Sequence, residues 1–142
     1  MVNSTMKKTF PGRFESLSSI SEFVASAARQ AGLNEFATYN MQMAVDEACA
    51  NIIEHGYGGD GAGEIECSCI IDEDRLTVEI RDYGAEFNPC DMPEPDLTGA
   101  LDDRAIGGLG IYLMCKLVDD ARFERDGSAN VLTLVKRTET VI

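Results

Sequence analysis

Apolar and polar residues alternate through GEIECSCIID (residues 63–72) and RLTVEIRDYG (residues 75–84), with the acidic turn DEDR between them. A period of two belongs to a strand with one buried face, and so short a connection joins two strands only as an antiparallel hairpin. A sheet with one apolar face needs a second layer to cover it, and the neighbouring segments have helical periodicity. In SLSSISEFVASAARQAG, Leu17, Ile20, Phe23, Val24 and Ala27 recur at helical spacing behind a serine N-cap, with Gly32 as the stop. A second helix is expected from about Asn34 to His55. Its residues Met41, Val45, Ala48 and Ile52 fall within about 60° on a 3.6-residue wheel and form the expected core stripe.

The remaining segments complete a two-layer design. KKTFPGRF reads as a short edge strand, because Pro11 would interrupt an inner ladder. GGLGIYLMCKLVDD opens on glycines and continues as an apolar helix, and ARFERDGSANVLTLVKR forms a second hairpin with Asp126-Gly127 in its turn. Tyr83 to Ala105 has little periodicity, and a loop of that length in a compact domain is usually functional. The order β-α-α-β-β-loop-α-β-β predicts an α+β two-layer sandwich. Its sheet is expected to be mixed and mostly antiparallel, with about three α-helices on one face and a lid loop between a strand and the last helix. The 142 residues suit one domain, with a core over about residues 7–137.

Charge narrows the functional classes. Twelve Lys and Arg against 25 Asp and Glu give a net charge of −13, which repels phosphate backbones and argues against direct nucleic-acid binding. The surface suits a basic protein partner, although solubility alone would also account for it. Cys49, Cys67, Cys69, Cys90 and Cys115 are odd in number and form no CxxC pair, as expected of reduced, mostly buried thiols in a cytoplasmic protein. The first residues lack the apolar stretch of a signal peptide, and the run Ile106–Val118, broken by three glycines and Lys116, is too short to span a membrane.

Three motifs carry chemistry. In DEACANIIEHGYGGDG, Glu47, Asn51 and His55 recur every four residues along one side of a helix, at the flank of the core stripe. An acid at a cleft edge accepts a proton from an attacking hydroxyl, and an amide oxygen one turn later suits a Mg²⁺ that keeps most of its water and phosphate ligands. Many surface helices share this spacing, and a histidine at a helix C-terminus is also favoured by the dipole. In DYGAEFNP, Asp82 at a strand exit can accept a hydrogen bond from an exocyclic amino group such as that of adenine. Gly84 would let backbone approach a flat ligand, and an ordinary turn uses the same residues. GGLG, Gly107 to Gly110, opens a helix whose free N–H groups suit a phosphate; packing would equally explain its glycines. The Walker A and dinucleotide patterns are absent.

DEACANIIEHGY, DYGAEFNP and GGLGIYL, in that order, resemble the N, G1 and G2 boxes of the ATPase superfamily of gyrases, chaperones, histidine kinases and mismatch-repair proteins. Within it the chain is most similar to the anti-sigma-factor serine/threonine kinases, from about Lys7 to Lys136. That resemblance implies ATP and Mg²⁺ as cofactors, Glu47 as general base and Asn51 as the Mg²⁺ ligand. It implies nucleotide contacts by Asn51, His55, Asp82, Gly84, Phe87, Gly107, Gly108, Leu109 and Gly110, and a positive charge for the transferred group at Arg104. It also implies a phosphoacceptor Ser or Thr on an anti-sigma-factor antagonist protein. A sigma factor as second partner and a homodimer are admitted by the resemblance, and neither membrane nor nucleic acid is involved. Glu86 departs from the pattern where a second glycine often stands. The alternative reading is a nucleotide-dependent protein-binding switch without catalysis.

Overall fold

The structure, a computed structural model, describes residues 2–59, 61–86 and 114–138. Five strands, β1 (Val2–Pro11), β2 (Glu64–Asp72), β3 (Arg75–Asp82), β4 (Asp120–Asp126) and β5 (Ala129–Arg137), form one sheet in the order β1-β2-β3-β5-β4. Every described pairing is antiparallel, so the sheet expected as mixed, mostly antiparallel, has no parallel pair among the described residues. The expected edge strand is present but spans ten residues, and Pro11 closes it opposite Glu64.

Helices α1 (Leu17–Gln30) and α2 (Glu35–Asn51) cover one face of the sheet, and residues 114–117 are helical. Strand alternation sets that face: Ile65, Cys67, Cys69 and Ile71 from β2, Leu76, Val78 and Ile80 from β3, and Leu132 and Leu134 from β5 point inward. They pack against Ile20, Val24 and Ala27 of α1 and Met41, Val45, Ala48 and Cys49 of α2. Buried Cys49, Cys67 and Cys69 therefore serve as small apolar core residues with free thiols.

Two caps fix the helix that carries the first motif. Gly32, at φ +87°, ends α1; its N–H donates to Arg29 O at 3.1 Å and that of Leu33 to Ala28 O at 3.0 Å, a Schellman closure. Asn34 then caps α2, its Oδ1 accepting from the Ala37 N–H at 2.7 Å. At the start of α1, Ser16 occupies the cap position without a side-chain cap bond, because a 3₁₀ turn over Phe14–Ser16 leads into the helix.

Beyond Asn51, α2 does not continue as an α-helix. Ile52–Gly56 form a single π-helical turn, with the Tyr57 N–H donating to Ile52 O at 2.8 Å. Such turns insert one residue into the helical phase. The core position expected at Ile52 therefore passes to fully buried Ile53, and Ile52 is left half-buried at the edge of the core.

Candidate functional site

A pocket opens where α2 meets the ends of β3 and β5. Ala48, Asn51, Ile52, Gly56, Asp82, Ala85, Phe123, Asn130 and Leu132 line it. Its walls are mostly apolar, and its polar groups converge from three elements.

Asp82 is the last inward residue of β3, following Leu76, Val78 and Ile80 in the same alternating row. A carboxylate at such a position is costly to bury unless the fold supplies donors, and it does. Its Oδ1 accepts from Asn130 Nδ2 at 3.0 Å and from the Gly84 N–H at 2.9 Å. Burial nevertheless dominates and holds the Asp82 carboxyl above its ordinary range, although both hydrogen bonds and the charge of Arg125 oppose the rise. Asp82 lines the pocket, and its Oδ2 receives no hydrogen bond from the described residues.

Asn130 organises this corner. Its Nδ2 also reaches Gly84 O at 3.2 Å and Ala85 O at 3.1 Å, and its Oδ1 accepts from Arg125 Nη1 at 2.7 Å. Register places Asp82, Asn130 and Arg125 in one transverse row across β3, β5 and β4. Asn130 was not among the expected site residues. Its signal in the sequence is a single amide within the otherwise apolar inward row of ANVLTLV.

Gly84 has a firmer reason to be glycine than approach to a ligand. A Cβ there would lie 2.4 Å from Gly56 O, and the Ala85 N–H donates to that same carbonyl at 2.8 Å. The strand exit is thus packed backbone to backbone on the π turn. Tyr57 fastens the same junction: its Oη donates to Glu64 O and accepts from the Tyr83 N–H at 3.0 Å.

On α2, Asn51 is buried, and its Nδ2 donates to Glu47 O at 2.7 Å. That bond fixes the amide plane and leaves Oδ1 without a partner among the described residues, at the pocket wall. Glu47 is half-buried; loss of solvent raises its carboxyl above the ordinary range, and the charge of neighbouring Asp46 adds to the rise. The structure does not bring His55 to this pocket. The π turn leaves its side chain 48% exposed, with Nε2 3.9 Å from the Glu54 carboxylate. Glu86 is exposed and does not line the pocket. Phe87, Arg104, Gly107, Gly108, Leu109 and Gly110, with the lid, lie outside the described residues.

Residues 10–136 match the family described as the histidine kinase-like ATPase domain. The chain belongs to that family. This histidine kinase-like ATPase domain is 35% identical to serine-protein kinase RsbW of Bacillus licheniformis over 98 residues and to that of Bacillus subtilis strain 168 over 97 residues, each match taking in 65% of the chain and 60% of the relative. It is 31% identical over 126 residues to serine-protein kinase RsbW of Bacillus mycoides, taking in 86% of the chain and 78% of that relative. Its match therefore spans only about 60% of the length of the first two relatives. A crystal structure of the RsbU and RsbW domains of a Mycobacterium tuberculosis protein superposes with a TM-score of 0.66 at 16% identity, over 95% of the domain and 32% of that chain. At that identity the likeness concerns the fold. No described helix of the domain is long and apolar enough to cross a membrane.

Proposed function

We propose that the protein is a Mg·ATP-dependent serine/threonine kinase of the anti-sigma-factor type, with an anti-sigma-factor antagonist as phosphoacceptor and a sigma factor as a second binding partner. The observation that carries the nucleotide half of this reading is the Asp82 carboxylate. One of its oxygens is held by Asn130 and Gly84, the other receives no hydrogen bond from the described residues, and the residue lines a pocket walled by Ala48, Ile52, Phe123 and Leu132. An adenine ring fits this chemistry: its faces meet apolar walls, and its exocyclic amino group donates to a buried anion otherwise short of donors.

The donor set also suits Mg²⁺. Among the described residues no cluster of three or more His, Cys, Asp or Glu could hold a metal alone. The oriented Oδ1 of Asn51 offers one hard neutral oxygen, which is what a Mg²⁺ bound mainly by water and phosphate needs. Bound there, the ion would neutralise charge on the triphosphate. Glu47, one turn earlier, takes the proton of the acceptor hydroxyl as its oxygen bonds to the γ-phosphorus and the bond to the ADP oxygen breaks. A raised carboxyl pKa suits that task, because it strengthens the base.

The test is incubation of the chain and a purified anti-sigma-factor antagonist domain with Mg·ATP. Phosphoserine or phosphothreonine on the antagonist is expected. Nucleotide binding without transfer would reject the kinase in favour of a switch module. Calorimetry of Asn51→Ala with and without Mg²⁺ should show loss of the metal-dependent part of ATP affinity and retention of the rest.

A further inference from the structure

Among the described residues, the large exposed apolar side chains are Phe14, Phe36, Tyr39, Met43 and Tyr83, and three of these share α2. Phe36 is 71% exposed, Tyr39 58% and Met43 39%. At 100° per residue the three lie within about 60° of one another, so they form one ridge along the outer side of the helix. The opposite side, through Ala37, Met41, Ala44, Val45 and Ala48, is buried. Helix α2 is thus apolar on both sides, and the core accounts for only one of them. A contiguous apolar ridge in water marks a surface that something covers.

We propose that this ridge docks the protein that receives the phosphoryl group and so brings its hydroxyl to Glu47; the inference rests on the kinase reading above. Continuity comes first. Glu47 follows Met43 by one turn on the same ridge, and Phe36 to Glu47 spans about 16 Å at 1.5 Å per residue. A partner seated on the three side chains therefore ends at the proposed base. Charge comes second. Helix α2 carries no Lys or Arg, and the Glu47 end of the ridge adds Asp46 and Glu54. At the other end a groove lined by Phe36, Ala37, Asp119, Lys136, Arg137 and Thr138 sets two cations against the carboxylates of Asp119 and Glu35, so the excess of negative charge is confined to the Glu47 end. The complementary partner surface is apolar at its centre and basic beside its acceptor serine or threonine. This polarity fixes which way round the partner sits. A second copy of the chain packed antiparallel would bring only this charge-balanced end against the acidic one. It would cover Glu47 and exclude any acceptor, so the ridge is assigned to the acceptor protein.

The experiment compares the unaltered chain with the triple variant Phe36→Ser, Tyr39→Ser, Met43→Ser, using a purified anti-sigma-factor antagonist domain and Mg·ATP. The expected result is a KM for that domain raised about tenfold or more, with kcat at saturation and ATP affinity unchanged. An unchanged KM overturns the docking surface while leaving the kinase reading standing. So does a variant that turns from dimer to monomer in sedimentation while keeping its KM, since the ridge is then a contact between copies. Failure of the unaltered chain to phosphorylate the antagonist overturns both. Should the triple variant not fold, Phe36→Ser alone, at the most exposed of the three positions, is expected to raise KM about threefold, and an unchanged value overturns the proposal equally.

Discussion

Asp82 and Asn130 stand directly opposite each other on β3 and β5, both buried, with Asn130 Nδ2 donating to Asp82 Oδ1 at 3.0 Å. The pair couples the end of the sheet to the pocket, because the same amide nitrogen also reaches the Gly84 and Ala85 carbonyls. Replacing Asn130 by Ala removes these donors from a buried carboxylate and two main-chain oxygens. Asn130→Ala is expected to lower stability by about 1–3 kcal/mol and to weaken ATP binding. Urea denaturation and calorimetry measure the two effects. Unchanged values in both would show that water replaces the amide without loss.

At Gly84 steric contact decides. A methyl group there meets Gly56 O at 2.4 Å, and backbone cannot swing aside as a flexible side chain would. Gly84→Ala is expected to cost about 1–3 kcal/mol and to loosen the pocket, since the π turn and the strand exit must separate. A variant with the stability and ATP affinity of the unaltered chain would refute this packing role.

The burial of Asp82 has a signed consequence for pH. Its carboxyl lies above its ordinary value of 3.8, chiefly because burial disfavours the charge. The folded state therefore binds this proton more tightly than the unfolded chain, and stability declines as pH rises through the folded pKa. Relative to Asp82→Asn, the unaltered chain should gain stability as pH is lowered through the folded pKa towards the ordinary value of 3.8. Nucleotide affinity should fall over the same range, because a protonated carboxyl is the poorer acceptor. Denaturation curves of the two chains at several pH values check the first expectation.

Glu47 is the residue on which transfer depends in the proposed reaction. Glu47→Gln should keep ATP affinity and lower kcat by about 100-fold or more. Asp46→Asn removes a neighbouring charge that raises the Glu47 carboxyl, so the acid limb of kcat/KM should move to lower pH. Retained turnover in Glu47→Gln, or an unmoved limb in Asp46→Asn, would count against Glu47 as the base.

Periodicity made the hairpins and helices legible in the sequence. The alternation in GEIECSCIID and RLTVEIRD sets β2, β3 and their inward rows, and Gly32 and Asn34 mark a stop and a start that the structure uses. Asp82 was legible as a carboxylate at a strand exit. Asn130 was not, because its role depends on a cross-strand partner 48 residues away. At Gly84 the sequence offers room for a flat ligand or an ordinary turn, and the contact with Gly56 is one that neither reading contains. His55 shows the limit of a single helical wheel. Four-residue spacing aligns it with Asn51 only if the helix keeps its pitch, and over Ile52–Gly56 it does not.

The π turn also has a bearing on how residue roles pass between relatives. Upstream of Ile52 a position can be compared by simple counting; downstream, the extra residue offsets every direction by roughly a quarter of a circle. A homologue whose helix runs through unbroken would aim its histidine along another line while aligning letter for letter. Identity at that column would then conceal a difference in geometry.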